Sequence, residues 1–134
     1  MIELARAIRQ GAIPALTDLD LTRNEVNDGA MKALAACSTF TTMKRLNLVG
    51  NSIGNSGIED FSSELIKRAF PRLVDLHLYR NLIGEAGIDA LSDAIGRGVL
   101  RELHHLRLGR NNLFDYDAAK KKIHDARKRF HQTL

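Results

Sequence analysis

Residues 73–91 read LVDLHLYRNLIGEAGIDAL, and thirty residues earlier, at 43–61, the chain reads MKRLNLVGNSIGNSGIEDF. The shared frame is L-x-x-L-x-L-x-x-N-x-I/V/L. It occurs at Leu16, Leu19, Leu21, Asn24 and Val26, and at Met43, Leu46, Leu48, Asn51 and Ile53. It occurs again at Leu73, Leu76, Leu78, Asn81 and Ile83, and at Leu103, Leu106, Leu108, Asn111 and Leu113. The copies start 27, 30 and 30 residues apart, a period that marks a stacked repeat architecture.

Other columns repeat with it. Ile13, Phe40, Phe70 and Leu100 form one apolar column, Leu4, Phe61 and Leu91 a second, and Ile8, Leu65 and Ile95 a third. The last two lie four residues apart, the spacing of one helix face. The L-x-L stretch alternates apolar and polar, as a strand does. Each unit is therefore expected to be a short strand, a turn and a helix. One such unit cannot bury its apolar face alone, but a stack can. Identical units make the strands parallel. Helices are broader (~10 Å) than the strand spacing (~4.8 Å), so the stack curves with strands on the concave side and helices on the convex side.

The repeating Asn24, Asn51, Asn81 and Asn111 read as a structural ladder. A buried turn needs its backbone donors and acceptors satisfied, and an amide offers both. Gly54, Gly57, Gly84 and Gly87 are expected to permit tight turns into the helices. N-S-I-G-N-S-G is not a phosphate loop, because it lacks the G-K-[ST] ending and it recurs.

NSIGNSGIEDFSSEL and NLIGEAGIDALSDAI resemble leucine-rich repeats of the ribonuclease-inhibitor subtype, whose consensus runs LxxLxLxxNxIGxxGxxxLxxxL. The resemblance covers essentially the whole chain. It implies a right-handed α/β horseshoe, cytoplasmic or nuclear, used as a non-enzymatic protein-binding scaffold. The scaffold names a mode of action and leaves the target open.

The chain reads as a single domain over 1–134, with repeats starting near 16, 43, 73 and 103. Residues 1–15 read as a partial N-terminal repeat or cap, with a helix at roughly 2–10 and no strand before it. Three readings of this start stand side by side: a fragment of a longer receptor, a small protein whose first helix is its cap, or a homodimer formed through the first strand edge, since edges invite pairing. At the other end, 114–134 lacks I-G-x-x-G and reads as a basic capping helix with the apolar stripe Ala119, Ile123, Ala126 and Phe130. Polar terminal units are expected in solenoids.

Charge is unevenly placed within the formal net of +4. Residues 1–96 hold 10 Lys+Arg against 12 Asp+Glu, net −2, and residues 97–134 hold 10 against 4, net +6. Cys37 is the only cysteine, which excludes an internal disulfide and points to a reducing, intracellular setting. MIELARAIRQ is a mixed amphipathic stretch, so no signal peptide is read, and no apolar run approaches the ~20 residues of a membrane helix.

If function lies in positions that do not repeat, it lies on the concave face. The non-leucine strand columns are Asp18, Arg45, Asp75, His105 and Asp20, Asn47, His77, Arg107. The first alternates in sign and suits a charge ladder. Tyr79, flanked by Arg80 and near Arg107 and Arg110, is the expected anchor, because Tyr and Arg dominate interface hot spots. The expected partner-binding set is Arg45, Asp75, His77, Tyr79, Arg80, His105, Arg107 and Arg110.

Asp75, His77 and His105 also fit the donor types of a divalent metal site, against the plainer reading of a carboxylate–imidazole pair. The expectation is no metal and no cofactor. No Ser/His/Asp relay is present, and Cys37 has no histidine nearby in sequence, so no enzyme is expected. Two rivals are a polyanion-binding helix, using Lys120, Lys121, Lys122, Arg127, Lys128 and Arg129 on nucleic acid or an acidic membrane, and a GTPase-activating role by analogy with Ran-activating relatives of the subtype.

Overall fold

A computed structural model describes residues 15–37, 40–67 and 69–132. Four strands alternate with four helices: β1 (Asp18–Asp20), α1 (Asp28–Ala35), β2 (Arg45–Asn47), α2 (Asn55–Ile66), β3 (Asp75–His77), α3 (Glu85–Gly96), β4 (His105–Arg107) and α4 (Tyr116–Gln132). The strands form one open parallel sheet in the order β1-β2-β3-β4. Each helix packs on the next, α1 on α2, α2 on α3 and α3 on α4. This is the leucine-rich-repeat solenoid that the period implies. The expected helix at 2–10 and the residues Leu4, Ile8 and Ile13 lie outside the described residues.

The register is that of the repeat. Asp18, Arg45, Asp75 and His105 stand side by side, as do Asp20, Asn47, His77 and Arg107. The core is one layer between sheet and helices. Met43, Leu46, Leu48, Leu73, Leu76 and Leu78 enter it from the strand side, and Phe61, Leu65, Leu91 and Ile95 from the helices. Phe40 stacks on Phe70 at 5.0 Å and Phe70 meets Phe61 at 5.4 Å, so the two aromatic columns form one seam. Cys37 lies just past α1 and its cap Ala36, fully buried, with its thiol on the Ala33 carbonyl at 3.3 Å, a packing position.

The Asn ladder runs between units. Asn51 accepts from the Asn24 and Val26 amides at 3.0 and 2.8 Å and donates to the Leu21 and Leu48 carbonyls at 2.9 and 3.0 Å. Asn81 accepts from Ile53 at 3.0 Å and donates to Leu48 and Leu78. Asn111 accepts from Ile83 and donates to Leu78 and Leu108. Asn24 is different: it is exposed and donates to Thr22 O at 3.1 Å. No strand lies before β1 among the described residues.

The glycines have another reason than the one expected. Gly54 and Gly84 are helix N-caps in extended backbone that any residue adopts, not tight turns. Gly57 and Gly87 are helical, and close approach between units requires them. A Cβ on Gly57 would sit 2.5 Å from Asp28 Oδ1 and 3.2 Å from Asp28 Cα, and one on Gly87 would sit 2.8 Å from Asn55 Oδ1. The left-handed backbone lies elsewhere. Arg23, Gly50, Arg80 and Arg110, each directly before its ladder Asn, all have positive φ of 53–70°.

Candidate protein-binding face

Helix starts are clamped by the unit before. The first residue of each of the first three helices turns its side chain onto the next unit's backbone. Asp28 accepts from Gly54 N at 2.6 Å, Asn55 from Gly84 N and Gly87 N at 2.8 and 2.9 Å, and Glu85 from Phe114 N at 2.8 Å. At the equivalent place in the last unit, Asp115 caps its own helix at Ala118 N. This second ladder was not anticipated. Its signal is a column of side-chain acceptors, Asp28, Asn55, Glu85 and Asp115, four residues after each ladder Asn. Together the two ladders hold the strands and their exits in fixed order, which positions the face described next.

On the strand face, Asp75 is the hub. Its Oδ2 meets Arg45 Nε at 3.0 Å and its Oδ1 meets His105 Nδ1 at 2.5 Å. Burial opposes the charge on Asp75, but the His105 hydrogen bond and the charges of His105, Arg45 and His77 outweigh it, so its carboxyl sits below the usual range. Burial pushes the His77 imidazole down, and Arg107 adds to that against the pull of Asp75, so His77 is neutral at pH 7. The charge ladder thus runs Arg45–Asp75–His105 and leaves out Asp18, whose neighbour Arg45 turns the other way. Asp75 and His105 form a carboxylate–imidazole pair, and no group of three such donors converges among the described residues. His104 points away, with Nδ1 on Glu102 O at 2.6 Å.

Beside this hub lies a hollow of about 240 Å³, lined by Asp18, Asp20, Arg45, Asn47, Asp75 and His77. Three carboxylates face one guanidinium there. Asp20 is kept charged by the Thr22 hydroxyl and amide, at 2.6 and 2.9 Å.

At the strand exits the sign reverses. The Tyr79 ring lies across the Gly109 backbone, where a Cβ would meet its Cδ2 and Cε2 at 3.1 Å. The Arg80 and Arg110 guanidinium carbons stand 5.9 and 6.0 Å from its ring centre, within cation–π range. Arg107 is exposed on the adjacent strand. No carboxylate of the described residues lies in ion-pair range of Arg80, Arg107 or Arg110. The structure therefore sorts the expected set into two groups: Arg45, Asp75, His77 and His105 around the hub, and Tyr79, Arg80, Arg107 and Arg110 at the rim.

The C-terminal cations do not form one face. Lys122 pairs with Asp89 of α3, Lys121 pairs with Asp125 at 2.8 Å, and Lys120 lies 5.5 Å over the Tyr116 ring. Arg127 is half-buried, while Lys128 and Arg129 are exposed. The apolar stripe is as expected: Ala119, Ile123 and Ala126 are buried, and Phe130 packs on Gly98 beneath Arg101. No helix of the described residues is long and apolar enough to cross a membrane.

Comparison with known proteins agrees with this geometry. A family model described as Leucine Rich repeat matches residues 14–35 and 41–62, the first two units. A solved structure titled Leiomodin-1 Actin-Binding Site 2 (ABS2) superposes with a TM-score of 0.69 at 14% identity, covering 98% of this chain and 89% of that one. No curated protein matches the sequence. Repeat match and superposition agree with a leucine-rich-repeat fold.

Proposed function

We propose that this chain is a non-enzymatic scaffold that binds a protein partner through its concave strand face and C-terminal rim, and that its units are of the ribonuclease-inhibitor subtype. The observation that carries the first part is the rim: a tyrosine between two arginines, with no carboxylate of the described residues in ion-pair range of either guanidinium. Such groupings supply most of the energy at protein interfaces. The subtype rests on the 30-residue period and the repeated I-G-x-x-G, whose second glycines, Gly57 and Gly87, let units approach closely. The solved neighbour is titled as an actin-binding site, which fits a protein partner and leaves its identity open.

The polyanion reading of α4 is weakened because two of its six cations are paired with carboxylates and a third is half-buried. The intracellular setting is part of the proposal, and a homodimer through the β1 edge stands as one reading of the N-terminal start beside a longer receptor or a capping first helix. Light scattering over a tenfold concentration range checks the dimer. The central test is Tyr79→Ala combined with Arg80→Ala. A partner recovered by pull-down is expected to be lost from the double variant with circular dichroism unchanged, and undiminished binding rejects the rim.

A further inference from the structure

We infer that the rim built from Tyr79, Arg80, Arg107 and Arg110 receives a carboxylate-rich, acidic segment of the partner protein. This rests on the scaffold reading and names the chemistry of its partner.

Three observations carry it. The first is charge. Three exposed arginines gather where no carboxylate of the described residues pairs with them, whereas Arg45, Lys67, Arg97, Lys121 and Lys122 all have such partners. Guanidinium forks match carboxylates bidentately. The second is backbone. Arg80 and Arg110 sit at φ 56° and 53°, in the left-handed region where a side chain is disfavoured, and the equivalent residue of the second unit is Gly50 at φ 70°. The fold accepts glycine there, yet this chain carries arginine on both sides of Tyr79. Arg23, outside the rim, shares this conformation at φ 55°, so the conformation belongs to the strand exits, and what the rim adds is two arginines placed beside one tyrosine. The third is confinement. The neighbouring hollow presents Asp18, Asp20 and Asp75 and repels carboxylates, so an acidic segment is held to the strand exits.

Tyr79 completes the site. Its half-buried ring packs against Gly109, and the two guanidinium groups stand 5.9 and 6.0 Å from its centre. A partner's carboxylates then meet preplaced donors, which lowers the ordering cost of binding.

The test uses the full chain, isotope-labelled, with hexaglutamate as the probe and hexalysine and a seven-residue oligothymidylate as controls. Hexaglutamate is expected to shift the side-chain N–H signals of Arg80, Arg107 and Arg110 and the backbone signal of Tyr79. The double variant Arg80→Gly, Arg110→Gly removes the charge while relaxing the backbone, so it is expected to fold, and to bind at least tenfold more weakly. Shifts confined to α4, undiminished binding by the variant, or rim shifts with oligothymidylate but not hexaglutamate would each overturn the proposal. If hexaglutamate fails while the Tyr79→Ala, Arg80→Ala pull-down loss holds, the acidic chemistry falls and the scaffold reading stands. If both fail, the scaffold reading falls with it.

Discussion

Arg80 and Asn81 are neighbours in the chain and opposites in every physical respect. Asn81 faces inward, is 5% exposed, and makes three hydrogen bonds to backbone groups of two units. Arg80 faces outward and holds a left-handed backbone, and its side chain meets the Tyr79 ring with no carboxylate of the described residues in ion-pair range. The same contrast recurs at Arg110 and Asn111. Inward positions repeat because each must satisfy the same backbone groups in every unit. Outward positions are released from that demand, and they are where this molecule differs from a generic stack.

The contrast breaks most visibly at the inward residue. Asn81→Ala leaves the buried Ile53 amide without an acceptor and removes a packed side chain, and it is expected to lower unfolding free energy by about 3 kcal/mol. Asn24→Ala, at an exposed site with one local hydrogen bond, is expected to cost less than about 0.5 kcal/mol. Urea denaturation of the two variants measures the difference, and equal losses would refute the ladder. The outward residue is expected to move stability the other way. Arg80→Gly or Arg110→Gly should raise the urea midpoint by an amount equivalent to about 1 kcal/mol each, from relief of the left-handed backbone. No gain would mean that the guanidinium contacts with Tyr79 offset the strain.

The smallest effect is that of pH on the hub. Asp75 has its folded pKa below the unfolded value of 3.8, so it contributes stability that is fully present above that value and is lost as pH falls through the folded one. Asp75→Asn should therefore melt slightly lower than the parent at pH 7, and the gap should close as pH falls below 3.8 and through the folded pKa. A gap that persists unchanged there would assign the effect to hydrogen bonding alone.

The fold was legible because buried positions answer to one constraint. Leucine, asparagine and the aromatic columns recur at the same spacing, and both strand columns stand in the register their alignment implies. The hub was partly legible, since sign alternation pointed to pairing but could not say that Arg45 would choose Asp75 over Asp18. The left-handed column was hidden because three of its four members are arginine, a residue type that argues against positive φ. The clamp at Asp28, Asn55 and Glu85 was hidden because three different side chains share a single ability, to accept a hydrogen bond. The division of the α4 cations was invisible because the Lys122 partner, Asp89, lies 33 residues away on another helix.

The two ladders also run in opposite directions. Asn51, Asn81 and Asn111 reach back to serve the unit before them, while Asp28, Asn55 and Glu85 reach forward to serve the unit after them. Loss of the unit on either side therefore orphans buried groups in the one that remains. In an array held together by neighbour contacts, such two-way dependence raises the coupling between units relative to their individual stability. Under a pulling force along the stack, the four units should give way in one event, with a single length jump and not a staircase.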